Sequence, residues 1–252
     1  MRTPLSLALV FGLLSPSAAG AFFDVLDEMQ AELGGTASVE ETSIDELLQG
    51  LSITEESLVF TDVDENAWYA AYVSAVADWG IASGYKDAQG NATGEFGPGN
   101  SVTVAEMLKM SLRAAGIDEE ECPDSPERAD AKTHWSARFV ACAETIHMRV
   151  FDTRVDLDRP ATRAEVLVII HDSFGDSVPY AVSTFSDTID HSYEADIAYA
   201  ASLGIVSGDT NVDGSAKGTF RPNDGVNRAE AAKVIYQKLK TQLLLEEAGE
   251  EQ

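Results

Sequence analysis

Two arginines sit where a helix gains nothing from a cation. Thr162-Arg163-Ala164-Glu165 and Asn227-Arg228-Ala229-Glu230 each open an apolar stretch. Thr or Asn followed three residues later by Glu is a capping box, in which the side chains satisfy free backbone donors of the first helical turn. Thr103-Val104-Ala105-Glu106 has the same frame with valine in place of arginine. The cap accounts for the Thr, the Asn and the Glu, but not for the arginine. A cation at the first helical position faces the positive end of the helix dipole, at a cost of a few tenths of a kcal/mol or more. Beside free N–H groups, Arg163 and Arg228 would instead build a pocket for a carboxylate. At Val104 that charge is missing, and Lys86 or Arg221 would have to supply it from nearby loops.

Other chemistry is sparser. Asp209-Thr210-Asn211-Val212-Asp213-Gly214 matches the first half of a calcium loop, with Asp209, Asn211 and Asp213 as ligands and the turn glycine in sixth place. The twelfth place is Phe220 rather than the bidentate Glu, and polar turn chemistry alone would produce similar residues. Cys122 and Cys142 form an even pair. In an oxidising compartment they imply a disulfide closing a loop of about twenty residues, worth on the order of 3 kcal/mol. A zinc site with His134 and His147 would have no common spacing. The four histidines are scattered, and no nucleophile elbow, zinc-protease helix or phosphate loop is present. A catalyst is therefore not expected.

The elements that position these residues recur. Phe60-Thr61-Asp62-Val63, Trp68, Gly80-Ile81-Ala82-Ser83-Gly84-Tyr85, Phe96-Gly97-Pro98 and the Thr103 motif form one unit. Phe185-Ser186-Asp187, Tyr193, Gly204-Ile205-Val206-Ser207-Gly208, Phe220-Arg221-Pro222 and the Asn227 motif form another. A looser unit lies between them, with Asp124, Trp135, Arg159-Pro160 and the Thr162 motif but no glycine-rich middle. Within each unit, Trp68, Tyr72, Ala75/Val76 and Trp79 or their counterparts predict a first helix with one apolar face, ended by a glycine. A turn-rich loop leads to a second helix carrying Met107, Leu108 and Leu112, or Val234, Ile235 and Leu239, inward. A helix pair this small cannot bury both stripes alone, so three units are expected to share a core. The expected fold is all-α: three helix–loop–helix repeats in a pseudo-threefold bundle with peripheral loops.

F-x-D-V, an aromatic, G-I-x-x-G-Y, F-x-P and T-R-A-E, in that order, resemble the S-layer homology domain over roughly residues 58 to 240. The resemblance implies a three-pronged spindle that attaches exported proteins to cell-wall polysaccharide, often bearing pyruvate ketals, through grooves between repeats. It makes Arg163 and Arg228 ligand contacts. Trp68, Trp135 and Tyr193, taken as equivalent positions, would either pack in the core or offer a platform to a sugar face. Asp62, Asp124 and Asp187 would cap the first helices or accept sugar hydroxyls. Glu106, Glu165, Glu230 and Lys86 complete the candidate glycan contacts. The rival is a structural assembly protein, self-associating and cation-dependent, with no glycan affinity.

Charge and export narrow the partner. The chain has 252 residues, 17 Lys+Arg against 43 Asp+Glu, and a formal net charge of -26. Such a chain does not make the counterion-releasing basic face of a nucleic-acid binder, nor dock on anionic lipid. Arg2, a short apolar run from Leu5 to Leu14 and Ala19-Gly20-Ala21 read as a secretory signal peptide, so the mature protein is expected to be exported, and the resemblance implies the cell surface as its destination. No later stretch is apolar enough to span a membrane. Residues 22 to 57 form a flexible acidic lead-in, with repeats over 58–117, 118–178 (divergent) and 183–240, then an acidic tail over 241–252. From Phe22 to Val59 there are ten acids and no Lys or Arg. Asp118 to Asp130 holds seven acids and one Arg, and Glu246 to Glu251 adds four acids. An anionic glycan would thus be bound locally, against the overall field.

Overall fold

The structure, a computed structural model, describes residues 60–250. The signal peptide and the lead-in lie outside the described residues. Among the described residues there are six α-helices: α1 (Ala70–Asp78), α2 (Val104–Ala114), α3 (Ala137–Thr145), α4 (Arg163–Phe174), α5 (Glu194–Ser202) and α6 (Arg228–Glu250). Two 3-10 turns, Ala129–Ala131 and Arg149–Phe151, belong to the middle repeat. The β contacts among these residues are isolated bridges, so the fold is all-α. No helix among them is long and apolar enough to cross a membrane.

The second helix of each repeat starts as its motif predicts. Thr103 and Thr162 accept from the N–H of Glu106 and Glu165, whose carboxylates accept from the threonine N–H in return. Asn227 and Glu230 exchange the same two bonds, at 2.8 and 3.0 Å. The first helices are different: Tyr69, Ser136 and Tyr193 precede α1, α3 and α5 without a side-chain cap. Each of these helices is followed by a left-handed residue: Gly80 (φ 67°), His147 (φ 53°) and Gly204 (φ 71°). The middle repeat thus keeps the turn without the glycine, at a cost of roughly 1 kcal/mol.

A ring of backbone hydrogen bonds joins the repeats. Val102 N–H donates to Val226 O (2.9 Å), Val226 N–H to Ala161 O (3.2 Å), and Ala161 N–H to Val102 O (2.9 Å). All three residues are buried. One turn outward, the first N–H of α2, α4 and α6 donates to Arg159 O, Asp224 O and Asn100 O respectively. The next N–H donates to Leu157 O, Pro222 O and Pro98 O. Each helix start therefore finds partners for its orphan donors in a neighbouring repeat.

The helices pack across repeats rather than within them. α2 touches both α4 and α6, while α1 lies on α6, α3 on α2 and α5 on α4. Tyr236 of α6 stacks on Trp79 (5.9 Å) and meets Tyr72 edge-on (5.2 Å). Arg113 of α2 lies 5.6 Å over Phe139 of α3. Phe60 and Phe185 cross under Gly84 and Gly208, where a Cβ would lie 2.6 Å from Glu95 O and 2.7 Å from Thr219 O. That approach explains the second glycine of the G-I-x-x-G pattern. The Cys122–Cys142 disulfide ties the entry loop of the middle repeat to α3.

The α4/α5 seam is ionic. Asp196 of α5, 2% exposed, receives Arg149 in bidentate fashion (2.7 and 3.0 Å) and His171 Nδ1 at 3.0 Å. Asp172 takes the Arg149 Nε at 2.8 Å. Burial alone would raise the Asp196 carboxyl, but the bonds from His171 and Arg149 outweigh it and hold it below the usual range. A carboxylate depressed in the native state stabilises above its unfolded value and loses that contribution as pH falls through the native value. Asp196→Asn should therefore destabilise the protein by about 3–5 kcal/mol near neutral pH. It should also flatten the acid limb of stability, read as denaturant midpoints between about pH 2 and pH 6.

Candidate functional site

The two motif arginines reach across the ring to the neighbouring loop, but they are not equivalent. Arg228 donates through Nε to Phe96 O (2.8 Å), through Nη2 to Ser83 O (2.9 Å) and through Nη1 to Glu106 (3.3 Å). Its guanidinium is sandwiched between the rings of Phe96 (4.7 Å) and Tyr85 (4.9 Å), and the residue is 5% exposed. Arg228 is thus a strut between the third and first repeats. Arg163 makes only the first of these bonds, Nε to Phe220 O (2.8 Å), over the Phe220 ring (4.6 Å). Asp209 stands where Tyr85 stands in the first repeat. The two terminal nitrogens of Arg163 have no hydrogen bond or ion pair among the described residues. Burial lowers its guanidinium below the usual range, with Glu230 partly opposing. It is half-buried, charged and has donors to offer.

The third groove carries Val104 at this position, fully buried. Arg159 of the facing loop pairs instead with Glu165 (2.8 Å). Neither Lys86 nor Arg221, the two replacement charges expected from the sequence, is placed at Val104 by any contact among the described residues. Lys86 is exposed and lies in the field of Lys109, whereas Arg221 is bound to Asp209 and Asp224. Lys109 of α2 was missed. It is half-buried, pushed down by burial first and by Arg113 second, with Glu119 opposing and Lys86 and Arg228 adding smaller amounts. No hydrogen bond or ion pair reaches it among the described residues. Its signal in the sequence was a Lys six residues after the cap, repeated at Lys233.

The aromatics need two corrections. Trp68 and Trp135 are 57% and 55% exposed, so the core-packing reading fails for both. Tyr193 is not their equivalent: it occupies the residue before the helix, as Tyr69 and Ser136 do, one place later than the tryptophans. The loop from Phe60 to its helix is one residue longer than the loop from Phe185, which shifts the register. Trp68 forms a surface cluster with Tyr69, Tyr72 and Lys233, whose ammonium lies 5.7 Å from the indole. Trp135 lies against His134 and Phe139. Tyr193 is half-buried, its hydroxyl pushed up by burial and by Glu165.

The three aspartates do not cap helices. Asp62 accepts from Phe96 N–H (2.8 Å) and Gly97 N–H (2.7 Å), and Asp187 accepts from Phe220 N–H (2.8 Å) and Arg221 N–H (2.7 Å). They hold the F-x-P loop whose carbonyl receives the motif arginine. Asp124 pairs with Arg138. In the calcium-like loop, Asp209 is already engaged by Arg221 (2.9 Å) and Thr219 (2.8 Å), so a cationic side chain stands beside the would-be first ligand. Asp213 and Asn211 bond to Ser215 within the turn. No group of three His, Cys, Asp or Glu among the described residues is placed to hold a metal.

One constellation superficially suggests catalysis. His134 Nδ1 lies 2.7 Å from Ser136 Oγ, and Nε2 lies 3.0 Å from Asp158. Ser136 is fully buried, and its own N–H donates to Nδ1 at 3.2 Å. Tyr193 N–H donates to His191 Nδ1 in the same way at 3.1 Å. The histidine braces a helix start, and the hydroxyl has no open face for a substrate.

Comparisons with known proteins point to one domain family. Residues 59–108 and 184–232 match the S-layer homology domain, and the middle repeat lies outside both matches. The S-layer protein EA1 of Bacillus anthracis is 28% identical over 182 residues, 70% of this chain and 19% of that protein. The amylopullulanase of Thermoanaerobacterium thermosulfurigenes is 29% identical over 191 residues, 72% of this chain and 10% of the enzyme. The exoglucanase XynX of Acetivibrio thermocellus is 28% identical over 202 residues, 73% and 16% respectively. The chain thus spans less than a fifth of the length of each of these relatives.

The two arginines should separate by calorimetry. Arg228→Gln removes the cation beside Glu106 and the donors to two carbonyls, and should cost about 3 kcal/mol. That corresponds to a fall in Tm of roughly 6–12 °C for a domain of this size. Arg163→Gln removes one carbonyl bond and should cost about 1 kcal/mol.

Proposed function

We propose that this protein is a non-catalytic anchoring module of the cell envelope. It holds an anionic wall polysaccharide in the seams between its repeats. The observation that carries this reading is the pair of uncommitted terminal nitrogens of Arg163 at the start of α4, among described residues whose arginines are otherwise paired. A carboxylate or ketal acid of the glycan would complete it by two parallel N–H···O bonds. Lys109, within electrostatic reach of Lys86 and Arg228, supplies a second cation without a hydrogen bond or ion pair among the described residues. Trp68 and Trp135 offer exposed ring faces against which sugar C–H groups pack. Two S-layer homology matches support the reading. So do enzymes that act on polysaccharides, which share this region as a minor part of their length.

The pseudo-threefold spindle, the export signal and the cell-surface location belong to this same proposal. The bonding ring and the amino-terminal sequence support them.

Co-sedimentation with purified envelope polysaccharide tests the binding. Arg163→Gln and Lys109→Gln should each weaken it roughly tenfold, since one charge-assisted hydrogen bond is worth about 1.5–3 kcal/mol. Moderate salt should strengthen binding by screening the repulsion of the whole chain more than the close contacts. Unchanged affinity in the double variant, or loss of binding on adding moderate salt, would refute the assignment.

A further inference from the structure

The first and third repeats exchange a matched set of side chains around an unchanged loop. Gly97 and Arg221 occupy the same place, and their N–H groups each donate at 2.7 Å to the aspartate of their own repeat, Asp62 and Asp187. Both backbones are left-handed, at φ 73° and 59°. Gly97 leaves room for Tyr85: a Cβ there would collide with the ring and lie 2.7 Å from the Asn100 amide nitrogen, which donates to the Tyr85 hydroxyl. In the third repeat Arg221 brings that Cβ, and the ring is gone. Asp209 stands in its place and accepts from Arg221 Nε at 2.9 Å, while Asp224, the counterpart of Asn100, accepts from Nη1 at 3.0 Å. Tyrosine therefore goes with glycine, and aspartate with arginine.

Each set faces a motif arginine. Tyr85 covers the Arg228 guanidinium at 4.9 Å, while Nη2 donates to Ser83 O at 2.9 Å. Asp209 offers Arg163 no ring. A lone carboxylate there would clamp Arg163 in another way, because Asp209 lies within electrostatic reach of it. A carboxylate–guanidinium pair would use up the two terminal nitrogens. Arg221 forestalls that pairing. Its Nε donates to both Asp209 oxygens, at 2.9 and 3.0 Å, and Thr219 Oγ1 donates to one of them at 2.8 Å.

We infer that Asp209 and Arg221 together keep Arg163 open: the first withholds the clamping ring, and the second holds the first away from Arg163. Arg221 is thus a positioning residue, and the pair determines which of the two motif arginines can meet an acid. Its value to an anionic glycan rests on the proposed function, whereas the state of Arg163 does not.

The test is labelling of the full chain with phenylglyoxal, an arginine reagent, read residue by residue by peptide mass spectrometry. Arg163 should react several-fold faster than Arg228. Arg221→Gly suits the left-handed backbone and should slow Arg163 several-fold, as the released Asp209 pairs with it. Adding Asp209→Asn should restore the original rate, since the carboxylate is gone. Adding Asp209→Tyr instead should bring Arg163 down to the rate of Arg228. The Arg228 rate is the internal control: it should stay low throughout, because unfolding would raise it. Arg163 labelling that is indifferent to Arg221→Gly, or that Asp209→Asn does not restore, would overturn the inference. Labelling in the expected order with glycan co-sedimentation indifferent to it would sink the proposed function and leave the role of this pair standing.

Discussion

Three peptide groups, at Val102, Ala161 and Val226, set the geometry of everything else. Each donates to one of the others and accepts from the third, and all three residues are buried, so a broken bond would leave polar groups unsatisfied. Because the triangle is closed, the starts of α2, α4 and α6 must converge. Their orphan N–H groups then fall against the loops of neighbouring repeats. The capping boxes satisfy the third donor of each helix locally, while the first two are satisfied only by assembly. Local sequence and long-range packing are therefore complementary rather than redundant at these helix ends.

The first residue of each second helix consequently faces another repeat's F-x-P loop, and that loop decides its fate. Where the loop carries Tyr85 and a free Ser83 carbonyl, the arginine is clamped and becomes part of the core. Where Asp209 replaces the tyrosine and is itself taken by Arg221, the arginine keeps two donors uncommitted. Where the loop has been remodelled around Arg159 and Leu157, valine suffices. One motif position thus yields a strut, a ligand-seeking cation and a packing contact. A resemblance that treats the motif as uniform cannot distinguish them.

Much of the scaffold was legible in the chain. The capping boxes, the glycine turns after α1 and α5 and the cysteine pair all follow from spacing, because each is a local device or a redox default. The site was less legible, because its decisive bonds are non-local. Asp62 looked like a helix cap, yet its partners are more than thirty residues away at Phe96 and Gly97. Arg228 looked like a surface ligand contact, yet its partners lie in the first repeat. Tyr193 was aligned with two tryptophans because a one-residue difference in loop length cannot be seen without the helix start. Lys109 escaped notice because a lysine on a polar helix face is ordinary; only burial without a partner singles it out.

The packing of α1 onto α6 has a consequence for how such a molecule can change its size. In an open solenoid each unit leans on its neighbour, so units can be added or deleted and the ends need dedicated polar caps. Here the first helix of the first repeat rests on the second helix of the last, and the backbone triangle has three corners and no vacancy. Removing one repeat would leave two apolar faces without a mate, and a fourth would find no corner to join. Adaptation can therefore proceed only by altering the repeats in place. A middle repeat that lacks the glycines and carries a disulfide, yet still occupies its corner of the triangle, is consistent with that constraint.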